Sequence, residues 1–104
     1  MEVNQIIKEF REELKRIYNG NLVKLILYGS YARGDFNSDS DIDLLVVLNE
    51  METPGKEIDR MIDIINNINL KYNILISVFP ITIAEYESLN SPLLLNVRRE
   101  GLEQ

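Results

Sequence analysis

The chain has 104 residues, 45% of them hydrophobic and 27% charged, which suits one folded domain and is too apolar for a disordered segment. It has no cysteine, which excludes disulfides and thiolate metal sites, and no histidine, which excludes any imidazole base. The net charge of −6 is uneven: residues 1–34 carry six basic and four acidic groups, residues 35–63 two and nine, residues 64–104 three and four.

Val3, Ile6, Ile7, Phe10, Leu14 and Ile17 recur at helical spacing, so residues 3–18 are expected to form an amphipathic helix, ended at Asn19-Gly20. Leu22–Tyr28 reads as a mostly buried strand. Residues 29–40 form a polar, glycine-containing loop with a short helical turn near Tyr31–Arg33. Asp41–Leu48 is a second strand, wholly apolar after Asp43. Thr53-Pro54 pairs a capping hydroxyl with proline at the first helical position, and Ile58, Met61, Ile62, Ile65 and Ile68 continue that helix to about Leu70. Asn73–Phe79 is predicted as a third strand closed by Pro80. Thr82-x-x-Glu85 is a capping box opening a short helix to about Leu89, and Ser91-Pro92 starts a last helix stopped by Gly101. This order predicts an α/β (α+β) fold, a small mixed sheet packed with helices, in one domain over residues 1–104.

The apolar runs, such as Leu44–Leu48, fall far short of a membrane span. No basic stretch, apolar segment and small-residue cleavage site open the chain, so a cytoplasmic protein is expected. The acidic middle argues against a nucleic-acid footprint, which needs a basic face, and fits a divalent cation site or a solvated acidic surface.

Gly29-Ser-Tyr-Ala-Arg-Gly-Asp-Phe-Asn-Ser-Asp-Ser-Asp-Ile-Asp43 is the segment that carries chemistry. Gly29 and Gly34 have the spacing of a phosphate-binding P-loop, but Asp35 and Phe36 stand where Lys and Ser/Thr are required. Asp35-x-Asn37-x-Asp39 opens like a calcium loop, but its sixth and twelfth positions are Ser40 and Val46 instead of Gly and Glu. Asp41 and Asp43, two apart on a strand, point to one face about 6.5–7 Å apart along it. Such a pair can hold Mg²⁺ through hard oxygens, while Gly29 lets backbone approach a ligand and Ser30 adds a hydroxyl. Together they suggest a triphosphate-plus-metal site.

Gly29-Ser30, ten residues, then Asp41-x-Asp43, with the flanking Ala32-Arg33-Gly34 and Ser40-Asp41-x-Asp43-Leu44, resembles the signature of the DNA polymerase β-like nucleotidyltransferase superfamily, in its minimal single-domain branch. The resemblance implies that fold, with ATP as substrate and Mg²⁺ as cofactor. It implies that Asp41 and Asp43 are the catalytic, metal-binding pair and that Gly29 and Ser30 hold the β- and γ-phosphates. Arg33 is placed where it could reach a phosphate or lie in solvent, and Tyr28 and Tyr31 flank the site. Minimal nucleotidyltransferases of this kind resemble the antitoxins of type VII pairs. Such an antitoxin adenylylates a tyrosine of a toxin ribonuclease with a higher eukaryotes and prokaryotes nucleotide-binding (HEPN) domain. That resemblance implies a protein adenylyltransferase whose partner is its substrate; the short apolar runs and the acidic middle imply neither membrane nor nucleic-acid binding.

The chain departs from the pattern at one point: superfamily members often carry a third carboxylate on a following strand, and Asn73–Phe79 has none. Two aspartates then suffice for a slow or partner-assisted reaction, or the chain binds nucleotide and inhibits its partner by contact. An adenylyltransferase of small molecules is the other alternative, and would need a further acceptor-binding domain.

Overall fold

The computed structural model describes residues 3–104. Helix α1 (Val3–Tyr18) buries Ile6, Ile7, Phe10, Leu14 and Tyr18 on one stripe. Its end is turned by Asn19 at φ 51°, not by Gly20, and a 3₁₀ turn over Asn19–Asn21 leads into strand β1 (Leu22–Tyr28). A single helical turn, α2 (Ser30–Arg33), follows. Then come β2 (Ile42–Leu48), α3 (Pro54–Tyr72), β3 (Ile76–Thr82), α4 (Ile83–Ser88), α5 (Pro92–Glu100) and the two-residue β4 (Leu102–Glu103). The predicted caps form: Thr53, Thr82 and Ser91 each accept a backbone N–H through the side chain, and Thr82 and Glu85 complete the capping box.

The sheet is mixed, in the order β3-β2-β1-β4. β2 runs antiparallel to β1 and parallel to β3, and β4 runs antiparallel to β1. The parallel pair needs a long crossover, which α3 supplies. β2 is central and covered on both faces, which explains its near-continuous apolar run. Its even residues, Ile42 to Leu48, pack with α1 and α3 in one cluster. Leu45 and Val47 pack on the opposite face with Ile26, Ile81, Leu94 and Val97. Asp43 belongs to that second face, beyond the cover of the second cluster.

Two boundaries differ from those expected. β3 begins at Ile76, because Asn73 adopts the left-handed conformation (φ 52°) that caps α3. It continues through Pro80 to Thr82 because β3 is an edge strand, where a missing N–H is tolerated. Leu102–Glu103 forms a fourth strand with Ile26 and Leu27 that the sequence reading does not contain.

At the end of the sheet remote from Asp43, Glu57 is the buried charged residue among those described, 3% exposed. It accepts a 2.7 Å hydrogen bond from the Tyr18 hydroxyl, and burial and that carboxylate push the phenol well above its ordinary pKa. Tyr18→Phe removes a donor to a buried carboxylate and is expected to cost about 1.5–3 kcal/mol in urea unfolding, with nucleotide binding unchanged.

Candidate functional site

The chain leaves β1 at Tyr28 and turns at Gly29, which holds φ 75° and ψ −154°, a region open in practice to glycine alone. The reason is spatial as well as conformational. A Cβ at Gly29 would collide with Asp43 Oδ2 and stand 3.2 Å from Asp43 Cγ. The sheet register agrees, pairing Tyr28 with Asp43. Backbone at Gly29 therefore lies against the Asp43 carboxylate, with no side chain between them.

Ser30 opens α2, whose first N–H groups have no intrahelical acceptor. Its hydroxyl makes no hydrogen bond among the described residues. The Gly29 carbonyl accepts from the Ala32 and Arg33 amides at 3.1 Å each, and Gly34 closes the turn in the left-handed conformation. Asp41 is exposed and Asp43 partly exposed. Burial and the Asp41 charge raise the Asp43 carboxyl pKa, while Arg33 lowers it. The Tyr28 phenol is raised by burial and by Asp43.

Gly29, Ser30, Asp41 and Asp43 thus gather where β1 ends and β2 begins. Arg33 is near enough to act on Asp43 electrostatically, but its guanidinium is engaged by Asp35 at 3.1 Å and Glu100 at 3.4 Å. Tyr31 is stacked on Phe36, with ring centroids 4.4 Å apart, and packs against the α1–α3 cluster.

Two carboxylates form a concentration of negative charge that suits a hard cation. Among the described residues no group of three or more acidic side chains could enclose a metal. A pair of carboxylates suits Mg²⁺, which takes one or two of them and completes its octahedron with water and substrate phosphates. Ser77 stands in register beside Asp43 on the parallel strand and is exposed. Asn73 and Ser77 are the only polar side chains of the expected strand 73–79, and the register brings the second of them to Asp43.

Residues 7–99 match the family model for the nucleotidyltransferase domain. Two chains of Methanocaldococcus jannaschii, both carrying the name "Putative protein adenylyltransferase", are similar to this one. The first is 47% identical over 77 residues, covering 74% of this chain and 77% of its own length. The second is 38% identical over 105 residues, covering 100% and 95%. A crystal structure of a toxin-antitoxin with AMP-PNP shares the fold, with a TM-score of 0.63 at 18% identity over 90% of this chain and 68% of that one.

Proposed function

The chain belongs to the nucleotidyltransferase domain family, and on that premise we propose that this enzyme transfers AMP from ATP to a tyrosine hydroxyl of a partner protein, with Mg²⁺ held by Asp41 and Asp43. The observation that carries the reading is the bare contact between the Gly29 backbone and the Asp43 carboxylate, which brings a phosphate-accessible turn and a cation-binding pair into one site. Ser30 contributes its hydroxyl, and the amides of Ser30 and Tyr31, the ones in the turn not given to a carbonyl among the described residues, are left for the β- and γ-phosphates. Arg33 would have to leave Asp35 and Glu100 to join them.

The acceptor oxygen attacks the α-phosphorus, the bond from that phosphorus to the bridging oxygen breaks, and pyrophosphate leaves. Mg²⁺, when bound, supplies charge neutralisation at the entering and leaving oxygens. The acceptor proton passes to solvent, since the chain has no histidine and its paired aspartates are committed to the cation. A phenol with a pKa of about 10 needs less activation than an aliphatic alcohol, which favours tyrosine.

The relatives' name supports a protein acceptor. The toxin-antitoxin neighbour with AMP-PNP supports ATP and a toxin as partner; we take that partner to be a cytoplasmic HEPN-domain ribonuclease, silenced by adenylylation. Among the described residues no helix is long and apolar enough to cross a membrane. A module that binds nucleotide and inhibits by contact is the second reading, favoured by the serine at position 77.

ATP titrated by calorimetry with Mg²⁺ and again with EDTA tests the site: affinity is expected only with the metal, and equal affinity in both would remove it. Ser77→Asp places a third carboxylate beside Asp43 and is expected to strengthen Mg²⁺ binding about tenfold, the effect of one added ligand contact of ~1.4 kcal/mol. A variant with unchanged or weaker Mg²⁺ affinity would remove Ser77 from the site.

A further inference from the structure

Beside the carboxylate pair, the outermost strand presents large apolar side chains that the fold leaves uncovered. The register sets Ser77 beside Asp43 and Phe79 beside Leu45, and the Ile42 amide donates to the Leu75 carbonyl at 2.9 Å, which sets Leu75 beside Asp41. Leu75 is 59% exposed and Phe79 42%. Leu70, in the last turns of α3, is 83% exposed. Leu70, Leu75, Asp39, Asp41 and Asn69 share one cleft of about 330 Å³. A lone exposed leucine is ordinary, but Leu70 and Leu75 share one cleft with Asp41 and together mark a contact surface, whereas Phe79, beside Leu45, lies on the face opposite α3.

The edge of β3 offers an added strand a single free N–H, that of Val78, among the described residues. Residue parity turns the N–H groups of Ile76, Val78 and Thr82 outward, away from β2. The Ile76 amide donates to Asn69 Oδ1 at 3.0 Å and the Thr82 amide to Glu85 Oε1 at 3.2 Å, while Pro80 has no N–H to offer. An occupant is therefore held mainly through the side chains it lies across. Its charge is constrained too. Asp39 and Asp41 line the cleft together with the C-terminal end of the 19-residue α3, whose carbonyls carry partial negative charge, and no lysine or arginine lines it. Asp39 lies outside the proposed metal pair and keeps its charge when a cation binds there.

We infer that Leu70 and Leu75 form the docking surface for the acceptor polypeptide, which engages it through a segment joining apolar side chains to lysine or arginine, the cation facing Asp39. This rests on the protein-acceptor reading above. Nucleic acid, being anionic and lacking aliphatic side chains, does not fit such a surface.

Three peptides of equal length with one central tyrosine test the inference: one flanked by Leu and Arg, one by Leu and Glu, one by Ser and Arg. Binding to the full chain is read by fluorescence anisotropy in the presence of Mg²⁺ and AMP-PNP. The Leu/Arg peptide is expected to bind at least about tenfold tighter than either other, and to weaken as salt rises from about 50 to about 500 mM. Leu70→Ser with Leu75→Ser should abolish the part of the preference due to leucine, and Asp39→Asn the part due to arginine, both with metal-dependent nucleotide affinity and thermal melting unchanged. Equal binding of the three peptides, no binding of the Leu/Arg peptide up to about 1 mM, or an unchanged ranking in the double variant would overturn the docking surface. Loss of metal-dependent nucleotide binding by the unsubstituted chain would instead overturn the nucleotidyl-transfer site, a readout taken separately without peptide.

Discussion

Gly29→Val is expected to lower AMP transfer by at least about a hundredfold, the cost of displacing a reacting group by around an ångström. Two causes add. Valine cannot adopt φ 75°, ψ −154° without strain, which costs about 1–3 kcal/mol of stability where surrounding structure enforces it. The larger effect on activity is steric, because the new Cβ occupies space held by Asp43 Oδ2, so either the carboxylate or the turn must move. Gly29→Ala meets the same Cβ contact with a smaller side chain and should lose activity while remaining folded. Gly34→Ala separates strain from collision: Gly34 has φ 86°, but nothing lies within 4 Å of its added Cβ. It should lose about 1–2 kcal/mol of stability and retain transfer. A Gly29→Val protein that melts normally and transfers AMP at the original rate would remove the turn from the phosphate site.

The paired variant Asp41→Asn, Asp43→Asn is expected to lose at least about a thousandfold in transfer, equivalent to ~4 kcal/mol of transition-state stabilisation. Its stability should move the other way. Burial and the neighbouring Asp41 charge push the Asp43 carboxyl above its ordinary pKa, so its ionised form is disfavoured in the folded state. The native state therefore holds that proton more tightly than the unfolded chain, and stability declines as pH rises past the unfolded carboxyl pKa towards the folded one. Asparagine at both positions removes that burden. The melting temperature without metal at neutral pH should rise, and Mg²⁺ should no longer raise it. Lower stability together with retained transfer would contradict both assignments of the pair. Loss of transfer with full protection of the partner would identify the contact-inhibition alternative.

Where local chemistry decides the structure, the sequence was readable. Thr53, Thr82 and Ser91 each cap a helix as expected, because a hydroxyl beside the first turn has one obvious donor to satisfy. The turn at Gly29 was legible because glycine alone permits so close a backbone approach, and Asp41 and Asp43, two apart on a strand, share a face. Pairing across the sheet was not legible. Pro80 ended a strand on paper and continues one in the fold, since whether a missing N–H matters depends on the side from which the neighbour approaches. Asn73 took the left-handed cap of α3 instead of starting a strand. Ser77 beside Asp43, Arg33 between Asp35 and Glu100, and the uncovered Leu75 and Phe79 all follow from long-range register, which residue types along one chain do not specify. β4, two residues long, has too little pattern to read.

Incubation with the proposed HEPN-domain partner, Mg²⁺ and ATP labelled in separate reactions at the α- or γ-phosphorus tests the central claim most directly. Label from the α-position is expected on a tyrosine of the partner, mapped by mass spectrometry, with pyrophosphate released. It should be absent with EDTA and absent in the Asp41→Asn, Asp43→Asn protein. Transfer of the γ-label, an α-label found only on serine or only on a small molecule, or no label at all would contradict protein tyrosine adenylylation by this chain.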